Sequence, residues 1–241
     1  MSLAVETAAP DKSRVVQDTV KVIERRLDAF GISHFEVQAV GKPTDGLILV
    51  SLPEVPDRNR VVELITVGGL LEFAEVVSFT SPTPVQTYST SEEAMVSLGG
   101  KVPPNRRILP YVERGFQDPP ASSQSKKWVV VKTPAIVDGT DLRDASAIET
   151  FSGSHDYEIL FSLKPEGAEK FATWTGEHIN YYIAVILNGE AKSIAFIKSQ
   201  ISDQGELNGN YTKQSAEDLA LVLRSGALPA TVRVIEQGNN K

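Results

Sequence analysis

Between Asp11 and Gly31 the apolar positions Val16, Val20, Ile23, Leu27 and Phe30 recur at helical spacing, and Gly31 stands where a left-handed residue would end the helix. The segments "HFEVQAV" and "GLILVSL" read as strands joined through Pro43, Asp45 and Gly46. Asp57 is placed to cap a second helix carrying Val61, Leu64 and Ile65, and "LLEFAEVV" returns as a strand. Residues 13–77 thus give helix, strand, strand, helix, strand, preceded by a short strand at "LAVET", a pattern suited to helices packed on one face of a sheet.

From Ser78 to Lys127 the texture changes: seven prolines and many Ser, Thr and Gln residues leave weak periodicity around "SEEAMVSLGG", which reads as an insertion. Beyond it "KWVVVKT" and "YEILFSL" predict strands. "PEGAEKFATWTGEHI" predicts a helix with proline in its first turn and Ala168, Phe171, Ala172 and Thr175 on one face. In "YYIAVILNGEAKSIAFIK" two apolar runs flank Asn188 and Gly189, the dipeptide that a type I′ hairpin turn favours because both central residues need positive φ. Thr212 caps a last helix with an Ala216, Leu219, Ala220, Leu223 stripe; Ser225 and Gly226 end it, and "TVRVIEQ" alternates as a closing strand. No internal repeat is evident.

The chain has 241 residues, 41% of them hydrophobic, enough to fill a core of ordinary size. Its 24 basic and 31 acidic residues give a formal charge of -7, which argues against nucleic acid, since that affinity comes from clustered Lys and Arg. With no cysteine, disulfides and thiolate chemistry are excluded while the compartment stays open. No apolar run reaches the roughly 18 residues of a membrane span, and "MSLAVETAAP" lacks the features of a signal peptide. As written the chain reads as soluble, and its opening Met-Ser-Leu is compatible with an excised piece of a longer protein.

Candidate chemistry is sparse. His34, His155 and His178 repeat no metal-ligand spacing, so no metal or cofactor is expected. "FSGSHD" brings Ser152, Ser154, His155 and Asp156 together in sequence, which suits a polar linker better than a nucleophile and base from separated segments. "VGGLLEF" and "GELNGN" lack the frame of a phosphate loop and read as turns. "NYT" at Asn210 matches a glycosylation acceptor but leads into the Thr212 cap, and Glu92 and Glu93 read as surface charges. Tyr181, Tyr182 and, across the hairpin, Phe196 form a candidate surface for extended polypeptide. Core packing competes with that role, because alternation makes one face of the hairpin core.

The segment "NGNYTKQSAEDLALVLRSGALPATVRVIEQ" closely resembles the one that closes the first large extracytoplasmic domain of the bacterial SecD family, found also in fused SecDF proteins. Leu223, Arg224, Gly226, Ala227, Leu228 and Pro229 match its Leu-Arg-x-Gly-Ala-Leu-Pro pattern. "VIERRLDAFGISHFEVQAVGKPTDGLILVSLPEV", "PAIVDGTDLRDA", "LKPEGAEKFATWTGEHI" and "IAVILNGEAKSIAFIKSQIS" resemble further family segments in order and spacing, whereas residues 78–125 resemble nothing specific.

The resemblance implies an α+β fold with a ferredoxin-like α/β sandwich base, residues 1–77 and 211–241, and an α+β head inserted at 78–210, with 78–126 a Pro-rich connection. It implies a non-enzymatic accessory of the Sec channel on the outer side of a bacterial membrane. Its partners would be unfolded preprotein, SecF and the SecYEG channel, with export driven by the proton-motive force. The family's proton-carrying residues match nothing in this chain. Two other readings stay open: an outer assembly module of a related membrane transporter, and an extracytoplasmic serine hydrolase using Ser152 or Ser154 with His155.

Overall fold

The computed structural model describes residues 1–42, 45–112, 126–150 and 157–236. The chain runs β1 (Ser2–Glu6), α1 (Lys12–Ala29), β2 (Glu36–Val40), β3 (Leu47–Ser51), α2 (Arg58–Thr66) and β4 (Leu71–Glu75). Next come α3 (Ser91–Ser97), β5 (Arg106–Val112), β6 (Lys126–Lys132), β7 (Val137–Asp138), β8 (Leu142–Glu149), β9 (Tyr157–Leu163) and α4 (Pro165–Glu177). After these follow β10 (Tyr182–Leu187), β11 (Glu190–Phe196), β12 (Gln204–Tyr211), α5 (Lys213–Ser225) and β13 (Thr231–Glu236). Two compact units result: Met1–Gly69 with Leu221–Lys241, and Leu70–Ala220.

The first unit is a four-stranded antiparallel sheet in the order β13-β1-β3-β2. Strand, helix, strand, strand, helix, strand with this order is the ferredoxin-like arrangement, its last strand supplied from the far end of the chain. Alternation places Leu3, Val5, Val37, Ile48, Val50 and Val232 on the core side, where α1 adds Val16, Val22, Ile23 and Leu27 and α2 adds Val61 and Ile65. Asp11 and Asp57 cap the two helices, each accepting the N–H three residues on at 3.0 Å.

Here the sequence reading needs correction. "LLEFAEVV" does not close the first sheet; β4 lies in the second unit, between β10 and β7. Leu71, Phe73, Ala74 and Val76 are all buried, as suits a strand covered on both faces, whereas β13 buries Val232 and exposes Thr231, Arg233 and Ile235, as suits a strand covered on one. The compact units accordingly meet the chain at 69/70 and 220/221 rather than at 77/78 and 210/211.

The second unit holds a six-stranded sheet, β6-β5-β11-β10-β4-β7, and a three-stranded antiparallel sheet, β12-β9-β8. Phe73 of the larger sheet meets Phe161 of β9 at 4.9 Å and Phe171 of α4 at 5.5 Å between ring centroids, fixing what covers that face. On the opposite face Ala74, Val76, Leu109, Val129, Val131, Ala184 and Ile186 form a second core. The stretch "GELNGN" is strand, not turn: it lies in β12, where a Cβ on Gly205 would stand 2.5 Å from the Phe161 ring, so glycine is needed for the close approach.

Candidate polypeptide-contact surface

The β10–β11 hairpin forms as its turn dipeptide requires, with Asn188 at φ 52 and Gly189 at φ 80. At the opposite end of the hairpin the strands meet the C-terminus of α4. Asn180, itself left-handed at φ 68, donates its N–H to the Ile197 carbonyl at 2.8 Å, and Ile197 returns a bond to the Tyr181 carbonyl at 2.9 Å. The chain reverses here and delivers two consecutive tyrosines to opposite faces of the sheet.

Tyr181 turns toward α4. Trp174 and His178, four residues apart on one helix face, stack at 4.2 Å between centroids with planes 10° apart, and Tyr181 meets the His178 ring edge-on at 4.9 Å. His178 Nδ1 lies 2.8 Å from the Trp174 carbonyl. A carbonyl can only accept, so Nδ1 carries the proton and the ring orientation is set. Ile179 and Tyr181 are exposed here. Phe79, the most exposed aromatic among the described residues at 71%, is carried by the segment whose Ser81 N–H bonds to the Asn180 carbonyl at 2.8 Å. Ile179, Tyr181 and Phe79 thus stand exposed on backbone segments tied by these hydrogen bonds, while Trp174 and His178 are half-buried beside them.

Tyr182 turns the other way. Its ring packs half-buried against the second core and meets Phe196 at 6.3 Å, while its hydroxyl donates to the Thr83 carbonyl at 2.8 Å. Phe196 is 39% exposed, with Lys198 Nζ 5.4 Å from its ring centre. The three residues foreseen as one surface are therefore divided: Tyr182 and Phe196 share a face, and Tyr181 belongs to the cluster with Trp174 and His178. Sequence reasoning passed over Trp174 and Phe79 and weighed His178 only as a metal ligand, although the Trp-x-x-x-His spacing at a helix end was there to be read.

The closing motif lies in the first unit. Leu223 and Leu228 are buried, Arg224 and Pro229 are exposed, and Gly226 ends α5 at φ 90, followed by Ala227. Arg26, fully buried on α1, donates Nη1 to the carbonyls of Leu64 at 2.8 Å and Val67 at 2.6 Å, and Nη2 to those of Gly68 at 3.2 Å and Gly226 at 3.0 Å. No carboxylate pairs with it among the described residues, and burial, helped by Arg25, pushes its pKa down to about 10. It stays charged at neutral pH, and its ligands are the carbonyl end of α2 and the turn after α5.

Other candidates resolve locally. Glu93 takes the Ser89 N–H at 2.9 Å and gives its own N–H to Thr90 Oγ1 at 3.1 Å, so it caps α3. Thr212 Oγ1 accepts the Ser215 N–H at 3.2 Å and caps α5. Ser152, Ser154, His155 and Asp156 lie outside the described residues, as does the Asn210 side chain.

Two family models match this chain: "SecDF, P1 head subdomain" over residues 114–230 and "Protein translocase subunit SecDF, P1 domain, N-terminal" over residues 16–78. The chain belongs to the SecD/SecDF family. Among SecD relatives, the protein translocase subunit SecD of Koribacter versatilis is 35% identical over 94% of this chain and 39% of its own length. That of Aquifex aeolicus is 31% identical over 94% of this chain and 40% of its own. This chain thus spans about two-fifths of the SecD proteins it matches. The fold is also that of solved SecDF structures. One is described as the super-membrane-facing form of SecDF, with TM-score 0.72 and 23% identity over 98% of this chain and 29% of the other. The other is of "a membrane component SecDF that enhances protein export", with TM-score 0.70 and 23% identity over 100% of this chain and 99% of the other. No described helix is long and apolar enough to cross a membrane.

Proposed function

We propose that this P1 domain works on the extracytoplasmic side of a bacterial membrane, as part of a SecD-type accessory of the Sec channel, and holds unfolded preprotein by weak, non-catalytic contact. SecF and SecYEG are its partners in the whole assembly, and the proton-motive force acts through parts of that assembly other than this chain. The observation that carries the reading is the aromatic cluster of half-buried Trp174 and His178 with exposed Tyr181, together with the exposed Phe79 of the same unit, on a chain whose relatives are protein translocase subunits. An extended polypeptide presents its apolar side chains in varied order. Ring faces grip such side chains without demanding a sequence, and the ordering of the bound chain keeps affinity modest.

A photo-reactive side chain in place of Tyr181 or Phe79 tests this directly. Mixed with a reduced, unfolded export substrate it cross-links, whereas the same label in place of the exposed Arg233 of the first unit does not. Equal cross-linking from both places would contradict the reading.

A further inference from the structure

Of the two ring nitrogens of His178, one is engaged within the fold. Nδ1 donates to the Trp174 carbonyl at 2.8 Å, one ring face lies on the Trp174 indole at 4.2 Å, and Tyr181 meets the ring edge-on at 4.9 Å. With the proton on Nδ1, Nε2 carries a lone pair in the ring plane and is an acceptor. Nδ1 is turned back onto α4, so Nε2, on the far side of the five-membered ring, is turned away from the helix. The ring is half-buried, yet Nε2 is open to solvent and takes no hydrogen bond among the described residues. Stack and hydrogen bond together fix the ring, so a guest meets an acceptor whose direction is already set.

Ile179 and Tyr181, both exposed, flank this acceptor on the chain that follows the helix. A donor that suits it must be present in any unfolded guest. Hydroxyl and amino side chains donate only where a sequence supplies them, whereas every residue except proline carries a main-chain N–H. In a folded protein those groups are paired internally; in an unfolded chain they are bonded to water and can be exchanged.

We propose that His178 Nε2 accepts a main-chain N–H of the bound polypeptide while Ile179 and Tyr181 take the adjoining side chains. This rests on the polypeptide-contact reading and adds to it a ground for preferring unfolded chains. The contact needs a neutral imidazole, since a protonated Nε2 is a donor and cannot accept. It is therefore lost as pH falls through the range in which imidazoles titrate, roughly pH 8 to 5. The charged and titratable groups around the ring are Glu177 beside it on α4, the Tyr181 phenol, and Lys198, whose ammonium lies 5.4 Å from the Phe196 ring centre; residues 78–83 carry none.

The test uses the purified chain and two ten-residue peptides of alternating Leu and Ser, one with ordinary amides and one with its central five amides replaced by esters, which lack the N–H. Wild type binds the amide peptide about fivefold more tightly at pH 7.5, and the difference falls below about twofold at pH 5. His178→Phe keeps an aromatic ring against Trp174 without the acceptor and binds the two peptides alike at both pH values. His178→Gln supplies an acceptor that does not titrate and keeps the preference at pH 5, which separates the imidazole from Glu177 and Lys198. Equal affinity of wild type for the two peptides at pH 7.5 overturns the main-chain contact while leaving polypeptide contact standing. A preference undiminished at pH 5, or one that survives in His178→Phe, does the same. Failure of both peptides and of a reduced, unfolded export substrate to bind overturns both. Where a variant fails to fold by circular dichroism, the wild-type comparison at the two pH values decides alone.

Discussion

The Arg26 guanidinium reaches the Gly226 carbonyl at 3.0 Å, across 200 positions of sequence. The same Nη2 group bonds Gly68, whose carbonyl also receives the Leu228 N–H at 2.8 Å. One buried cation thus holds both segments by which the chain leaves and re-enters the first unit. Replacing Arg26 by Met leaves buried carbonyls without their donor and costs about 3 kcal/mol or more, read as a fall in the urea midpoint. Arg26→Lys keeps the charge but cannot fork to four carbonyls, and falls between wild type and Met.

Gly69 and Gly226 both adopt positive φ, 75° and 90°, but for different additional reasons. A Cβ on Gly226 would meet nothing closer than Arg25 Nη2 at 3.8 Å, whereas one on Gly69 would stand 2.6 Å from Val222 Cγ1 and 2.9 Å from Arg26 Nη2. Gly226→Ala therefore costs the backbone strain alone, about 1 kcal/mol, and Gly226→Val somewhat more. Gly69→Ala adds overpacking and costs at least about twice as much. Thermal unfolding of the two alanine variants gives the order; equal losses would rule out the contact argument.

Burial, reinforced by Glu206, whose partner across the strands, Leu160, lies two residues beyond Glu158, raises the pKa of the Glu158 carboxyl. A raised carboxyl pKa in the fold means a contribution to stability that is full below the ordinary carboxylate range and is lost as pH rises through the folded value. Glu158→Gln is then more stable than wild type at about pH 7, and the gain disappears below the ordinary carboxylate range, where Glu158 is protonated. Urea titrations at the two pH values decide it.

The two compact units are proposed to fold independently. Leu221 and Val222 of α5 pack with Leu64, so α5 is kept with the first unit. Joining Gly69 to Thr212 by a short Gly-Ser linker leaves a folded ferredoxin-like domain with dispersed amide resonances; a disordered product would show that the second unit is required.

Much of this was legible locally. The hairpin turn at Asn188–Gly189, the caps at Asp57 and Thr212 and the left-handed Gly226 follow from chemistry within a few residues, and each stands where the pattern put it. What failed was non-local. Periodicity marks "LLEFAEVV" and "TVRVIEQ" as strands but cannot tell which one pairs with β1, because that choice rests on which strand needs cover on both faces. For the same reason adjacent tyrosines looked like one surface, although a strand sends neighbours to opposite sides. Arg26 gave no signal at all: a basic residue in a helix reads as solvated until its carbonyl partners are brought in from 38 to 200 positions away.

The central claim, that the aromatic cluster at the end of α4 and the hairpin holds unfolded polypeptide, is tested most directly by titrating the domain with one export substrate in its reduced, unfolded form and in its folded form. Wild type binds the unfolded form at roughly micromolar strength, insensitive to moderate salt, and the folded form far more weakly. Trp174→Ser combined with Tyr181→Ser lowers that affinity about tenfold, with the circular dichroism spectrum unchanged. Equal binding of both forms, or full affinity in the folded double variant, would contradict the account.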